Sequence, residues 1–130
     1  MTRKEAREEL IKLVYEFCMN GERNDITLEE ICSHDEEKTE TQYITTSYQG
    51  IIDNYLLLKE KIAEVSKGFA IGRIYKVDLA IMLVALYEIL YIKDIPNKVS
   101  VNEAVNLAKI YSTDKSATFI NGILSGFIKL

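Results

Sequence analysis

The stretch that most constrains the fold of this chain runs from Val77 to Ile92 and is apolar on nearly every side of a helix. It is too short, and too interrupted by Asp78 and Glu88, to span a lipid bilayer. A helix that is apolar all round is normally buried by its neighbours. The sequence therefore predicts a central helix that other helices surround.

Helical periodicity accounts for most of the remaining chain. A first helix carries an apolar stripe from Ala6 to Cys18 and ends at Asn20-Gly21, where the left-handed conformation is tolerated. A longer helix is predicted from about Thr41 to Val65, although the β-branched run Tyr43–Thr46 is also compatible with an extended start. The chain has one proline, and this scarcity of helix breakers favours long helices.

Several short signals mark the ends of helices. Thr27–Glu30 and Ser100–Glu103 have the spacing of capping boxes. Asp94–Pro96 stops the central helix, because residues before proline avoid the helical region. Ser112–Asp114 indicates a turn, and Gly68 and Gly72 bracket a break around Phe69. With no convincing strand pairs, these signals predict an all-α bundle of about six or seven helices.

Charge is unevenly distributed along the chain. The net charge is −4, but residues 1–66 carry 8 Lys or Arg and 15 Asp or Glu, whereas residues 67–130 carry 8 and 5. The balances of −7 and +3 suggest a basic working face on an acidic protein, and an ordinary solvated surface is the simpler alternative. No apolar signal core opens the chain. We therefore expect a cytoplasmic protein.

The sequence offers little for catalysis or for binding a metal ion. Cys32-Ser33-His34-Asp35 contains potential ligands, but a structural zinc site usually needs a second ligand pair, and His34 is the only histidine. A serine or cysteine nucleophile would need that same histidine, in a polar loop. Cys18 lies on an apolar stripe and is expected to be a buried, reduced thiol. We therefore predict a protein that is not an enzyme and has no cofactor.

The N-terminus carries a different kind of signal. Arg3, Lys4 and Arg7 sit at helical spacing at the start of the first helix, where three cations can pair with phosphates. Glu5 and Glu8 are interleaved with them, so an ordinary charged helix surface is the alternative interpretation.

Two C-terminal stretches carry a resemblance to a known family. Ala80-Ile81-Met82 through Ala85-Leu86-Tyr87-Glu88-Ile89 resembles the central-helix motif of NusB proteins, and Asp94 to Lys109 followed by Lys115 to Leu124 resembles their C-terminal signature. The opening Arg3 to Glu8, with Tyr15-Glu16 downstream, is similar to the arginine-rich first helix of the family. The resemblance covers the chain nearly end to end.

The resemblance implies a fold and a function. The fold is two packed helical bundles in one domain, residues 1–130, with halves of about 1–66 and 67–130. The function is transcription antitermination: together with the ribosomal protein NusE, the protein binds boxA-like single-stranded RNA. The antitermination complex so formed on RNA polymerase promotes read-through, notably on ribosomal RNA operons.

The resemblance also implies roles for individual residues. Contacts with RNA are expected from Arg3, Lys4, Arg7, Lys98, Tyr111, Lys115 and Phe119. Contacts with NusE are expected from Tyr15, Asp78 and Glu88. Core packing is an additional role for Phe119, because Ile120 and Ile123 share its helix.

This chain departs from the family pattern at three positions. Phe69 stands where tryptophan is frequent, and Leu83 and Glu5 stand where relatives carry arginine. Fewer cations favour joint binding with NusE, because two modest surfaces together gain effective concentration. Two alternatives stay open: a helical interaction or dimerisation module without RNA binding, which includes a homodimer, and a NusB-like domain related to ribosomal RNA methyltransferases.

Overall fold

The computed structural model describes residues 1–66 and 71–128, and these residues form seven α-helices and one 3-10 turn, with no β-strand. The all-α fold expected from the sequence is confirmed. Among residues 1–66 and 71–128, none of the helices combines the length and the hydropathy of a membrane-spanning segment. In chain order the elements are α1 (Arg3–Asn20), α2 (Asp25–Ser33), α3 (Thr41–Asp53), α4 (Tyr55–Ser66), the 3-10 turn (Ile71–Arg73), α5 (Lys76–Tyr91), α6 (Asn97–Tyr111) and α7 (Asp114–Ser125).

Helix α5 is the centre of the molecule. It packs against α1, α3, α4, α6 and α7, and every residue from Asp78 to Ile89 is buried. Burying this apolar surface stabilises the fold by about 25 cal/mol per Å² removed from water. Leu83, one of the departures from the family pattern, is fully buried in this helix. The predicted central helix is therefore confirmed.

Local side-chain chemistry explains where α1 and α7 begin and end. The Thr2 hydroxyl accepts a hydrogen bond from the Glu5 amide at 3.1 Å while the Glu5 carboxylate accepts one from the Thr2 amide at 2.8 Å, a capping box that the sequence analysis did not identify. Helix α1 ends at Gly21, as predicted, with φ of 74°. The predicted turn before α7 is also present, and Thr113 caps that helix.

Both capping boxes predicted from sequence were wrong. Helix α2 starts at Asp25, earlier than Thr27. The Asn24 side chain caps it by accepting a hydrogen bond from the Thr27 amide at 2.9 Å. Helix α6 starts at Asn97, and Ser100 lies inside its first turn with its hydroxyl bound to Glu88. The competing cap of α2 is thus a neighbour in sequence, whereas the partner of Ser100 lies on another helix and cannot be recognised from the local spacing.

The predicted helix from Thr41 to Val65 is two helices. Helix α3 does begin at Thr41, which excludes the extended alternative for Tyr43–Thr46. It ends because the Asn54 side-chain amide donates to the Gly50 carbonyl at 2.8 Å, and asparagine competes in this way with helical hydrogen bonding. Gly68 and Phe69 lie outside the described residues, so the division of the chain into halves near residue 66 stays a prediction.

Candidate functional site

Glu88, near the C-terminal end of α5, is the centre of a buried polar network. Its carboxylate accepts hydrogen bonds from Arg7 Nε at 2.8 Å and Arg7 Nη2 at 3.1 Å, from the Tyr43 hydroxyl at 2.5 Å and from the Ser100 hydroxyl at 2.7 Å. Arg7 is 5% exposed and Glu88 is 1% exposed. The network therefore joins α1, α3 and α6 to the central helix.

The charges in this network support one another. Burial opposes the charge of Arg7, but the hydrogen bonds and the negative charge of Glu88 outweigh it and hold the pKa of Arg7 above its usual value. Burial and the adjacent carboxylate of Glu88 both raise the pKa of the Tyr43 hydroxyl. Because both side chains are buried and bound to each other, Arg7 and Glu88 have structural roles here.

Three of the cations expected to contact RNA lie on two of the helices that this network joins. Arg3 and Lys4 lie one turn before Arg7 on α1, and Lys98 lies in the first turn of α6, two residues before Ser100. Lys4 and Lys98 are exposed. The Arg3 guanidinium is half-exposed, pairs with Glu40 and lies 4.1 Å from the centre of the Tyr43 ring.

Asp78 forms a second buried network at the opposite end of α5. Its two carboxylate oxygens accept hydrogen bonds from the hydroxyls of Ser112 and Ser116, both at 2.7 Å. These contacts connect the start of α5 to the turn after α6 and to the first turn of α7. Ten residues separate Asp78 from Glu88, which is about 15 Å along a helix. Like Glu88, Asp78 is buried and serves the fold.

A cavity of about 380 Å³ adjoins Asp78. Lys115 and Phe119, both expected to contact RNA, line it together. Arg73 and Tyr75 also line it, although the sequence analysis did not select them. They lie just before the central helix, and no periodic pattern relates them to α7; only the fold brings the two segments together.

An apolar groove of about 220 Å³ lies between α1, the start of α5 and the end of α6. Tyr15, 37% exposed, and Tyr111, 46% exposed, both line it, together with Ile11 and Val77. The Tyr111 hydroxyl donates to the Glu8 carboxylate at 2.7 Å, and this bond raises the pKa of Tyr111. The fold therefore brings a residue expected to contact NusE beside one expected to contact RNA.

The Cys32–Asp35 segment has a structural explanation. Asp35 is buried, and its Oδ2 accepts hydrogen bonds from the Glu40 amide at 2.8 Å and from the Thr41 amide at 2.7 Å and hydroxyl at 2.8 Å. It thus anchors the loop before α3, while His34 is exposed. Among residues 1–66 and 71–128, no group of three or more His, Cys, Asp or Glu side chains is arranged to hold a metal ion.

The NusB family model matches residues 4–129. The chain belongs to the NusB family. It is 39% identical over 136 residues to the transcription antitermination protein NusB of Clostridium novyi, covering 99% of both chains. It is 40% identical over 129 residues to the protein of the same name from Clostridium acetobutylicum, covering 98% of this chain and 96% of that one. Both relatives are named as transcription antitermination proteins.

Solved structures agree with this assignment. T. maritima NusB superposes with a TM-score of 0.89 at 28% identity, covering 98% of this chain and 90% of the other. A chain in the crystal structure of a plectonemic RNA supercoil superposes with a TM-score of 0.83 at 21% identity, covering 96% and 92%, and this likeness concerns the fold alone. The family and the all-α architecture expected from the sequence are thus confirmed.

Proposed function

We propose that this NusB-family protein binds boxA-type single-stranded RNA together with the ribosomal protein NusE, and so promotes read-through by RNA polymerase, notably on ribosomal RNA operons. Membership of the family across residues 4–129 is the observation that carries this proposal. The groove and the exposed cations described above supply a surface for each partner.

The exposed cations support the RNA part of the proposal. Lys4 and the half-exposed Arg3 lie at the start of α1, Lys98 lies in the first turn of α6, and Lys115 lines the cavity beside Asp78. A protein with a net charge of −4 has no general attraction for RNA, but a few cations along one path neutralise phosphates and release counterions. Tyr111 and Phe119 add aromatic surface, on which unpaired bases stack.

The apolar groove supports the NusE part of the proposal. Its lining by Ile11, Tyr15 and Val77 suits an apolar segment of a partner, and Glu8 and Lys12 also line it. Tyrosine is common at the centre of protein interfaces, since its ring is apolar and its hydroxyl is polar. The overall negative charge of this chain would favour the approach of a basic ribosomal protein.

In this proposal Arg7, Glu88 and Asp78, the buried residues of the expected site, hold helices in place. Arg7 and Glu88 hold the starts of α1 and α6 together, and Asp78 holds the turn between α6 and α7. They set the spacing of the surface cations without themselves contacting a partner.

An RNA titration tests the function directly. The protein would be titrated with boxA-like RNA and with a scrambled control, each with and without NusE, at two salt concentrations. We expect binding that requires the motif, strengthens with NusE and weakens with salt. The absence of any motif preference, with NusE present at low salt, would overturn the RNA part of the proposal.

A matched pair of variants tests the groove. Tyr15→Ala should weaken NusE binding at least severalfold, because Tyr15 lines the groove. Met19→Ala removes an exposed apolar side chain from the same helix outside the groove, and should leave the affinity unchanged. Equal effects of the two variants in calorimetric titrations would contradict the assignment of the groove.

A homodimer is the competing occupant of the same groove. Mass measurement in solution, on the wild type and on Tyr15→Ala, distinguishes the two cases. We expect the same oligomeric state for both proteins. A wild-type dimer that Tyr15→Ala dissociates would assign the groove to self-association instead of NusE.

A further inference from the structure

The cavity beside the start of α5 has features that the proposed function does not yet explain. It is bounded by the residues before α5 on one side and by the start of α7 on the other. Its volume of about 380 Å³ lies within the usual range for small-ligand pockets. Aromatic and cationic side chains surround it together, and these are the groups that bind the base and the phosphate of a nucleotide.

Tyr75 contributes an aromatic ring with no evident task in the fold. It precedes α5, its side chain makes no capping hydrogen bond, and it is 64% exposed. Phe119 lines the same cavity from α7 and is half-buried. Exposed aromatic faces bind unstacked bases of single-stranded RNA regardless of base identity, because every base has a π-face.

Arg73 and Lys115 make the cavity cationic. Both are exposed, and they come from different elements, the 3-10 turn and the first turn of α7. None of the ion pairs found among residues 1–66 and 71–128 involves either residue. Asp78 is the one carboxylate that lines the cavity within the described part of the chain, and it is buried with both oxygens bound to serine hydroxyls.

We propose that this cavity holds one unstacked nucleotide of the bound RNA, with the base against Tyr75 and a phosphate between Arg73 and Lys115. The inference rests on the proposed function and adds Arg73 and Tyr75 to the RNA-contacting surface. An acidic peptide would pair with the two cations, and it would occupy the tyrosine ring only if it also carried an aromatic side chain. A single-stranded nucleotide satisfies both.

Affinity measurements on variants with matched controls provide the first test. With NusE present, Tyr75→Ala should weaken binding of boxA-like RNA by about tenfold, whereas Tyr75→Phe should retain it. Tyr91→Ala removes another exposed aromatic ring, from the far end of α5, and should change nothing. Loss of affinity in Tyr75→Phe as large as in Tyr75→Ala would contradict stacking.

The salt dependence of binding tests the cations. Arg73→Ala should weaken RNA binding and lower the salt slope by about one charge. Lys109→Ala is the control, because Lys109 is an exposed cation on neighbouring α6 that does not line this cavity. Equal slopes for wild type and Arg73→Ala would rule out a phosphate contact.

Photo-crosslinking gives a readout that a purely structural role would not affect. RNAs of the boxA type, each with 5-iodouridine at one position, would be irradiated in complex with the protein and NusE, and the adducts mapped by mass spectrometry. We expect one position to crosslink to Tyr75 or Phe119. Adducts confined to other residues would overturn the subsite.

The outcomes separate this inference from the function on which it rests. If the wild type binds boxA-like RNA and Tyr75→Ala and Arg73→Ala bind equally well, the subsite is wrong and the proposed function stands. If these variants lose NusE affinity but keep RNA affinity, the cavity belongs to the protein partner. If the wild type ignores RNA under every condition, both proposals fail.

Discussion

Helix α5 buries a carboxylate near each end, and the two are stabilised in different ways. Glu88 is paired with a guanidinium and two neutral donors, whereas Asp78 is bound by two serine hydroxyls. The first network fastens three helices to α5 and is closed to solvent. The second fastens one turn and borders a cavity. Asp78 lines a cavity of about 380 Å³ that a ligand can enter.

The largest effect is expected from breaking the ion pair. Arg7→Ala leaves the Glu88 carboxylate buried without its cation, and we expect a loss of about 3–5 kcal/mol in the free energy of unfolding. Urea denaturation measures it, with Lys4→Ala as the control, since Lys4 is exposed on the same helix. A loss below about 1 kcal/mol would show that Glu88 does not depend on Arg7.

A smaller effect is expected from removing one neutral donor to Glu88. Tyr43→Phe deletes the hydroxyl that donates to this carboxylate while keeping the ring. Hydrogen bonds to charged groups contribute about 1.5–3 kcal/mol. The same denaturation experiment checks this value, and a double mutant with Arg7→Ala should show non-additive losses, because both residues bind one carboxylate.

Substitution in the network at Asp78 should lower the free energy of unfolding less than substitution in the network at Glu88. Asp78→Asn keeps the size of the side chain and one acceptor oxygen, so one of the two serine hydroxyls loses its bond to residue 78, and Ser112 can donate to Ser116 Oγ at 2.9 Å instead. We expect a loss of about 1 kcal/mol in the free energy of unfolding. A loss as large as that of Arg7→Ala would show that the networks at the two ends of α5 contribute equally to the free energy of unfolding.

A third buried carboxylate, Asp35, should make the free energy of unfolding depend on pH. Burial opposes its charge, but hydrogen bonds from Thr41 and from the Glu40 amide hold its pKa below the usual value. Its stabilising contribution is therefore present above the ordinary pKa of aspartate and is lost as the pH falls through the lower folded value. We expect the unfolding free energies of wild type and Asp35→Asn to converge at acidic pH; a constant difference would exclude ionisation of Asp35 as the cause.

The sequence by itself determined the class of fold and the family. The nearly continuous apolar surface from Val77 to Ile92 requires surrounding helices, and the observed burial of α5 agrees with it. Gly21 and Thr113 mark helix ends through local conformational chemistry, which depends only on near neighbours. The order and spacing of the C-terminal motifs are sufficient to identify the NusB family, because they are properties of the chain and not of its packing.

Only the tertiary structure decided which polar residues reach the surface. Arg7 shares the helical spacing of Arg3 and Lys4, and nothing in that spacing reveals the carboxylate of Glu88, 81 residues away. Ser100 was predicted to cap a helix, but its hydroxyl donates to the Glu88 carboxylate, which the local sequence does not reveal either. Arg73 and Tyr75 join Lys115 through the packing of α5 and α7. Hydrogen bonds and cavities depend on side chains that are distant in sequence, so periodicity and spacing cannot predict them.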